Sequence, residues 1–427
     1  MRKFDGLLWM LGAAQTLGAA PLLWRAKKRW HCGFDSARFF GPSLQAPRGV
    51  RVVMVGLGFA ESRWALELGR QIHIARPDVE MVWAIFDADS ITGAGTGAGV
   101  LPMGQKMVPP PFDYAPAVSF WLRRVRPDAV VFLEKFQYAN FARVAHNRGV
   151  RVAAVAARLR DHRSGRYKWG DFYARWLLSA FDFIGLRSAQ EKAHLGNLSD
   201  APNVRVTGSL KFWPKLPEIE AGKLEDLQAW LSLAQNRPVF AAGSTQPGDE
   251  NWVLEAFAPL REEFGAVLLL APRHAERGDE VEALCQVRGW KVARRSRGQE
   301  IENADVLLLD TIGELTHAYG AARGAFVGGT IVGTGHNVLE PVAHGIPVFF
   351  GPKRGTFAVE QEMCEAASVG FRVQTPAELE SGWRRAVEDE NWRSEVALNA
   401  AQLNAHGARA WQETVAALLE LLEETRR

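Results

Sequence analysis

The sequence predicts an α/β protein: two doubly wound domains facing a cleft, preceded by an N-terminal membrane-anchor helix. Three observations predict it. Short apolar runs alternate with amphipathic stretches in two separate series, as a parallel sheet covered on both faces requires. Glycine-rich or charged segments directly follow many of those runs. An uncharged stretch opens the chain.

Composition sets the frame. With 427 residues, two or three domains are expected. Hydrophobic residues at 47% and charged residues at 23% exclude wholesale disorder. A formal charge of +3 is too mild for a nucleic-acid binder, where a basic face would dominate. The 40 glycines suit many tight turns. Cys32, Cys285 and Cys364 are odd in number and far apart, so no disulfide framework follows and a reducing compartment fits best.

Leu7–Trp24 carries no charge. As a helix it spans about 27 Å, just short of a hydrocarbon core. Arg2 and Lys3 precede it, while Arg25, Lys27, Lys28 and Arg29 follow. That asymmetry holds the following domain in the cytoplasm and attracts anionic lipid. A cleaved signal peptide and a buried core helix are the competing readings. The predicted division is an anchor over 1–29, a first domain over 30–213, a second over 214–400 and an amphipathic helix over 401–427.

The first series of strands is Val50–Val55, Met81–Phe86, Ala129–Glu134, Val150–Ala156 and Phe183–Ser188. The second is Pro238–Gly243, Ala266–Ala271, Asp305–Asp310, Gly324–Gly329 and Pro347–Gly351. Helices are expected over Ala60–Ala75 and Ala115–Arg126. Trp411, Val415, Leu418, Leu419 and Leu422 recur at helical spacing near the end.

Ligands of such sheets sit beyond the strands' carboxyl ends, so the residues just after each run are the site candidates. GLGFAE (Gly56–Glu61) begins like a dinucleotide fingerprint but places Glu61 where the third glycine belongs. Glu61 is either a base facing the cleft or a first-turn charge complementing the helix dipole. Glu134 ends the third strand, as a partner to Glu61 or a loop carboxylate. Arg158, Arg160 and Tyr167 lie in a basic loop suited to an acidic ligand, or in a solvated helix start. Asp87–Asp89 has the form of a metal-binding pair, but equally of an ordinary turn.

In the second series, Arg273, His274 and Arg277 emerge together after a strand and suit an anion. Gly313 opens a helix, either to expose amides to phosphate or simply to make the turn. The densest signal is FVGGTIVGTGHNVLEP (Phe326–Pro341), with Gly328, Gly329, His336, Asn337 and an inward Glu340.

These motifs, in this order, resemble the Kdo (3-deoxy-D-manno-octulosonic acid) transferase family. The most specific segments are VTGSLKF (Val206–Phe212), GST (Gly243–Thr245), PRHAER (Pro272–Arg277), IGEL (Ile312–Leu315), FVGGT (Phe326–Thr330), GHNVLEP (Gly335–Pro341) and PVFFGP (Pro347–Pro352). The resemblance implies a GT-B fold of two Rossmann-like domains and an inner-membrane protein with its catalytic domains on the cytoplasmic face. CMP-Kdo would be the donor and a lipid A precursor the acceptor, with anionic lipids at the anchor, no nucleic acid, no cofactor and no metal. Glu61 and Glu134 match the family's catalytic carboxylates. Arg158, Arg160, Ser164 and Tyr167 match its acceptor loop. Lys211, Ser244, Thr245, Arg273, His274, Arg277, Gly313, Glu314, Leu315, Gly328, Gly329, Thr330, His336, Asn337 and Glu340 match its donor side.

The chain departs from the family pattern mainly in the first half. Phe136 replaces a carboxylate, Ala156 an Asn and Arg160 a Ser. In the second half Ser209 replaces an Asn, Gln246 a His, Trp213 an Asp and Lys353 a His. Rival readings are a transferase using a UDP-sugar and a catalytically degenerate CMP-binding membrane protein.

Overall fold

The structure, a computed structural model, describes residues 36–47, 49–56, 59–85, 106–134, 138–158, 170–212, 219, 222–234, 236–298, 303–333 and 335–423. The anchor expected over 1–29 and the Asp87–Asp89 pair lie outside them. Among the described residues no helix is long and apolar enough to cross a membrane.

The chain forms two compact units, Met1–Leu210 with Arg409–Arg427, and Lys211–Ala408. The first holds a seven-stranded parallel sheet of β1 (Val50–Gly56), β2 (Val79–Ile85), β3 (Lys106–Val108), β4 (Ala129–Leu133), β5 (Arg151–Ala157), β6 (Phe183–Leu186) and β7 (Val204–Val206), in the order β3-β2-β1-β4-β5-β6-β7. The second holds β8 (Val239–Thr245), β9 (Val267–Pro272), β10 (Val292–Arg294), β11 (Val306–Leu308), β12 (Gly324–Val327), β13 (Val348–Phe350) and β14 (Gly370–Arg372). Its order is β10-β11-β9-β8-β12-β13-β14.

Alternation along each strand explains why both faces are dry. In β1, Val53 and Val55 enter one core while Val52 and Met54 enter the other. In β8, Phe240 and Ala242 face one core, Val239 and Ala241 its opposite. Strands buried on both faces are apolar at nearly every position, which is why they read as continuous runs; the exception in β1, Arg51, is buried and paired with Glu80 at 2.9 Å. Trp83, Trp121, Trp383 and Trp411 are fully buried, and Trp383 stacks on Phe240 with ring centroids 5.0 Å apart.

The last helix is longer than its apolar stripe suggested. It runs from Glu390 to Glu423 and is not a separate element. Asp389 stops the preceding chain and caps it, accepting the Trp392 N–H at 2.9 Å. Trp392, Val396, Ala400 and Leu403 join the core of the second unit, and Trp411, Leu418, Leu421 and Leu422 a core of the first.

Asp113 supplies a pH-dependent element of stability. It accepts the Phe141 N–H at 2.7 Å, yet burial outweighs that bond and pushes its carboxyl pKa up to about 6. The unfolded chain releases this proton near pH 4. The contribution of Asp113 is therefore full below that pH and is lost as pH rises through about 6. Asp113→Asn keeps an acceptor and removes the titration. Its melting temperature is expected to gain on the wild type between pH 4 and 7, a difference read by paired thermal melts.

Candidate functional site

Each sheet has one place where the chain order reverses. In the first it lies between β1 and β4, in the second between β8 and β12. Loops leaving the two sides of a reversal diverge and open a crevice at the strands' carboxyl ends. Several of the candidate residues stand there.

In the first unit, Glu61 falls in the first turn of helix Phe59–Ala75, directly after β1. Its side chain, with Arg160, Ser164 and Tyr167, lies outside the described residues. Glu134 follows β4, buried and in left-handed backbone at φ 55°. The Arg158 N–H donates to the Glu134 carbonyl at 2.7 Å, so the ends of β4 and β5 bring these two residues together. Just before Arg158, β5 bulges where the register shifts between Ala154 and Ala157, with Ala156 at φ 48°. Left-handed backbone without glycine costs about 1–3 kcal/mol per residue and gathers at functional sites.

The second unit repeats the device. Ser244, at φ 56°, bulges β8 between Gly243 and Thr245. A bulge there re-aims the residues that leave the sheet. The glycine turn after β12 is braced from behind: the Gly328 N–H donates to the Gly243 carbonyl at 2.8 Å. The Gly329 N–H donates to Asp249 at 2.5 Å, and the same carboxylate oxygen takes the Gln246 N–H at 2.9 Å. Two of the amides expected to cradle a phosphate are thus committed inside the protein. Thr330 is equally internal, its hydroxyl donating to Val327 and accepting from the Gly351 N–H.

Positive charge at this crevice comes from the neighbouring strand. Arg273 and His274 leave β9 exposed to solvent. Burial first, then the neighbouring Arg273 and His274, lowers the His336 pKa to about 4, so its ring is neutral near pH 7. Arg277 is tied to Glu250 at 2.7 Å and Glu280 at 2.8 Å, and so braces the helix that follows.

The loop carrying Gly313, Glu314 and Leu315 is pinned by consecutive arginines. Arg294 donates to Asp310 at 2.5 Å, and Arg295 to Glu314 at 2.7 Å. Glu314 is buried, while Ile312 and Gly313 remain exposed. Glu340 accepts the Thr316 hydroxyl at 3.0 Å, with the Asn337 amide 3.5 Å away. Lys211 holds its ammonium 3.9 Å from Glu360 and 4.4 Å from the centre of the Phe357 ring.

Sequence reasoning missed Asp249 and Arg295. Asp249 opens helix Asp249–Phe264, where an acid is ordinary for the dipole, so nothing marked it out. Arg295 follows β10, whose sequence VAR includes a charge and so makes no apolar run. Among the described residues no three His, Cys, Asp or Glu side chains gather as a metal site requires.

Two doubly wound parallel sheets, each with candidate residues at the strand ends beside its reversal, define a two-domain α/β protein of the GT-B-like class. A glycosyltransferase from Rickettsia africae shares the fold with a TM-score of 0.60, at 11% identity over 88% of this chain and 99% of that one. UDP-GlcNAc 2-epimerase from Neisseria meningitidis does so at 0.62, with 13% identity over 88% and 100%. The sequence decides the family. The model for 3-deoxy-D-manno-octulosonic-acid transferase (kdotransferase) matches residues 36–213. The 3-deoxy-D-manno-octulosonic acid transferase of Bordetella pertussis is 31% identical over 95% of this chain and 97% of its own length. The chain belongs to the Kdo transferase family of glycosyltransferases.

Proposed function

We propose that this protein transfers Kdo from CMP-Kdo to a hydroxyl of a lipid A precursor, in one displacement that inverts configuration and uses no metal. The observation that carries this reading is the near full-length likeness to the Bordetella transferase. Carboxylates at one sheet's reversal and a cationic strand end next to the other's support it.

Glu61 takes the proton of the acceptor hydroxyl as that oxygen bonds to the anomeric carbon of Kdo. The bond from this carbon to the phosphate oxygen breaks, and its electron pair leaves with CMP. CMP is a good leaving group, so its phosphate needs charge and not a proton. Arg273 and Lys211 supply that charge, with Ser244, His274 and the exposed turn at Gly313 beside them. Glu340, oriented by Thr316 and Asn337, takes the ribose hydroxyls. Glu134, fixed by its strained backbone, positions Glu61, and Arg158 with Arg160, Ser164 and Tyr167 meets the anionic acceptor. Residues 1–29 hold the protein to the inner membrane, its two domains on the cytoplasmic side.

The test incubates the purified full chain with CMP-Kdo and a lipid A precursor and weighs the products. A product heavier by one or more Kdo units is expected, in equal yield with EDTA present. Transfer only from a UDP-sugar, or CMP binding without transfer, would overturn the assignment. Strong loss with EDTA would overturn its metal-free chemistry.

A further inference from the structure

His336 stands on the turn after β12 with its Nε2 3.0 Å from the side-chain amide nitrogen of Gln246. An amide nitrogen only donates, so this Nε2 accepts, and the single proton of the neutral ring sits on Nδ1. The fold keeps room for the pair. A Cβ on Gly333 would lie 2.3 Å from Gln246 Oε1, and one on Gly329 2.9 Å from His336 Cδ2. The backbone of Gln246 is itself fixed, its N–H held by Asp249 at 2.9 Å.

The charges around the ring agree with this arrangement. Arg273 and His274, arriving after β9, oppose a second proton on it. Asp249, on the helix that follows Gln246, directs one carboxylate oxygen at the amides of Gly329 and Gln246.

We propose that Gln246 is a positioning residue: it fixes His336 as the Nδ1–H tautomer, so that the ring presents one neutral proton to an anionic group of the donor beside Arg273. This deepens the proposed function and rests on it only for the identity of the ligand. A neutral donor of this kind holds an anion equally well on either side of pH 6.5, where an ordinary histidine would change its charge.

The test labels the histidines of the full chain with nitrogen-15 and assigns His336 by its loss in His336→Gln. The Nδ1–H pattern is expected, constant from pH 5.5 to 8. An Nε2–H pattern, or a titration near pH 6.5, would overturn the proposal. In Gln246→Glu the carboxylate accepts from Nε2–H and favours the imidazolium. The ratio of variant to wild-type CMP affinity should then fall about tenfold between pH 6 and pH 8, as the added proton is lost. A flat ratio would remove Gln246 from the role. A wild-type chain with the Nδ1–H pattern that binds no CMP would uphold the tautomer and overturn the donor reading.

Discussion

Glu61→Gln is expected to leave CMP binding unchanged while transfer falls by about 10²–10⁴-fold, the usual worth of a positioned general base. Glutamine matches glutamate in size and keeps an acceptor, but it cannot take a proton from a hydroxyl. Glu61 stands in the first helical turn after β1, beside the reversal of the first sheet. Its loss should therefore not disturb Arg273 or Glu340, which belong to the second unit. Titration with CMP and timed product formation separate the two effects. Turnover near the wild-type rate would take Glu61 out of the chemistry. Equal loss of CMP affinity and turnover would make it a structural residue.

Much of this fold was legible because interior strands of a doubly wound sheet are apolar on both faces. The ten runs predicted from sequence correspond to ten strands of the structure, and the four that escaped, β3, β7, β10 and β14, are the edges of the two sheets. Each is three residues long and includes a charged residue, Lys106, Arg205, Arg294 or Arg372, so no continuous apolar run marks it. The candidate site was placed by a related rule, that ligands of such sheets sit beyond the strands' carboxyl ends. Its bracing was not legible. Gly328 and Gly329 look like an open phosphate cradle in sequence, but their amides are taken by Gly243 and by Asp249, the latter 80 positions away. Arg277 looks like an anion ligand until Glu250, 27 positions earlier, is seen beside it. Partners so distant in the chain leave no local pattern to find.

Asp249 is the point at which that hidden bracing can be broken. A fully buried carboxylate oxygen holds two amides, one on each strand of the second sheet's reversal, at Gln246 after β8 and Gly329 after β12. Asp249→Ala leaves both without an acceptor, and a buried unpaired amide costs about 1–3 kcal/mol. A loss of about 2–4 kcal/mol in folding stability is expected, read from denaturant midpoints. CMP affinity should fall more than about tenfold, because the turn that carries His336 is then free to move. Burial raises the Asp249 pKa against the pull of both amides, so the acceptor atom matters more than its charge. Asp249→Asn, which keeps that atom, should therefore retain most of both properties. An alanine variant with wild-type stability and CMP affinity would show that the turn is held by something else. If stability fell but affinity did not, the brace would belong to the fold alone and the geometry of the glycine turn would be irrelevant to the donor.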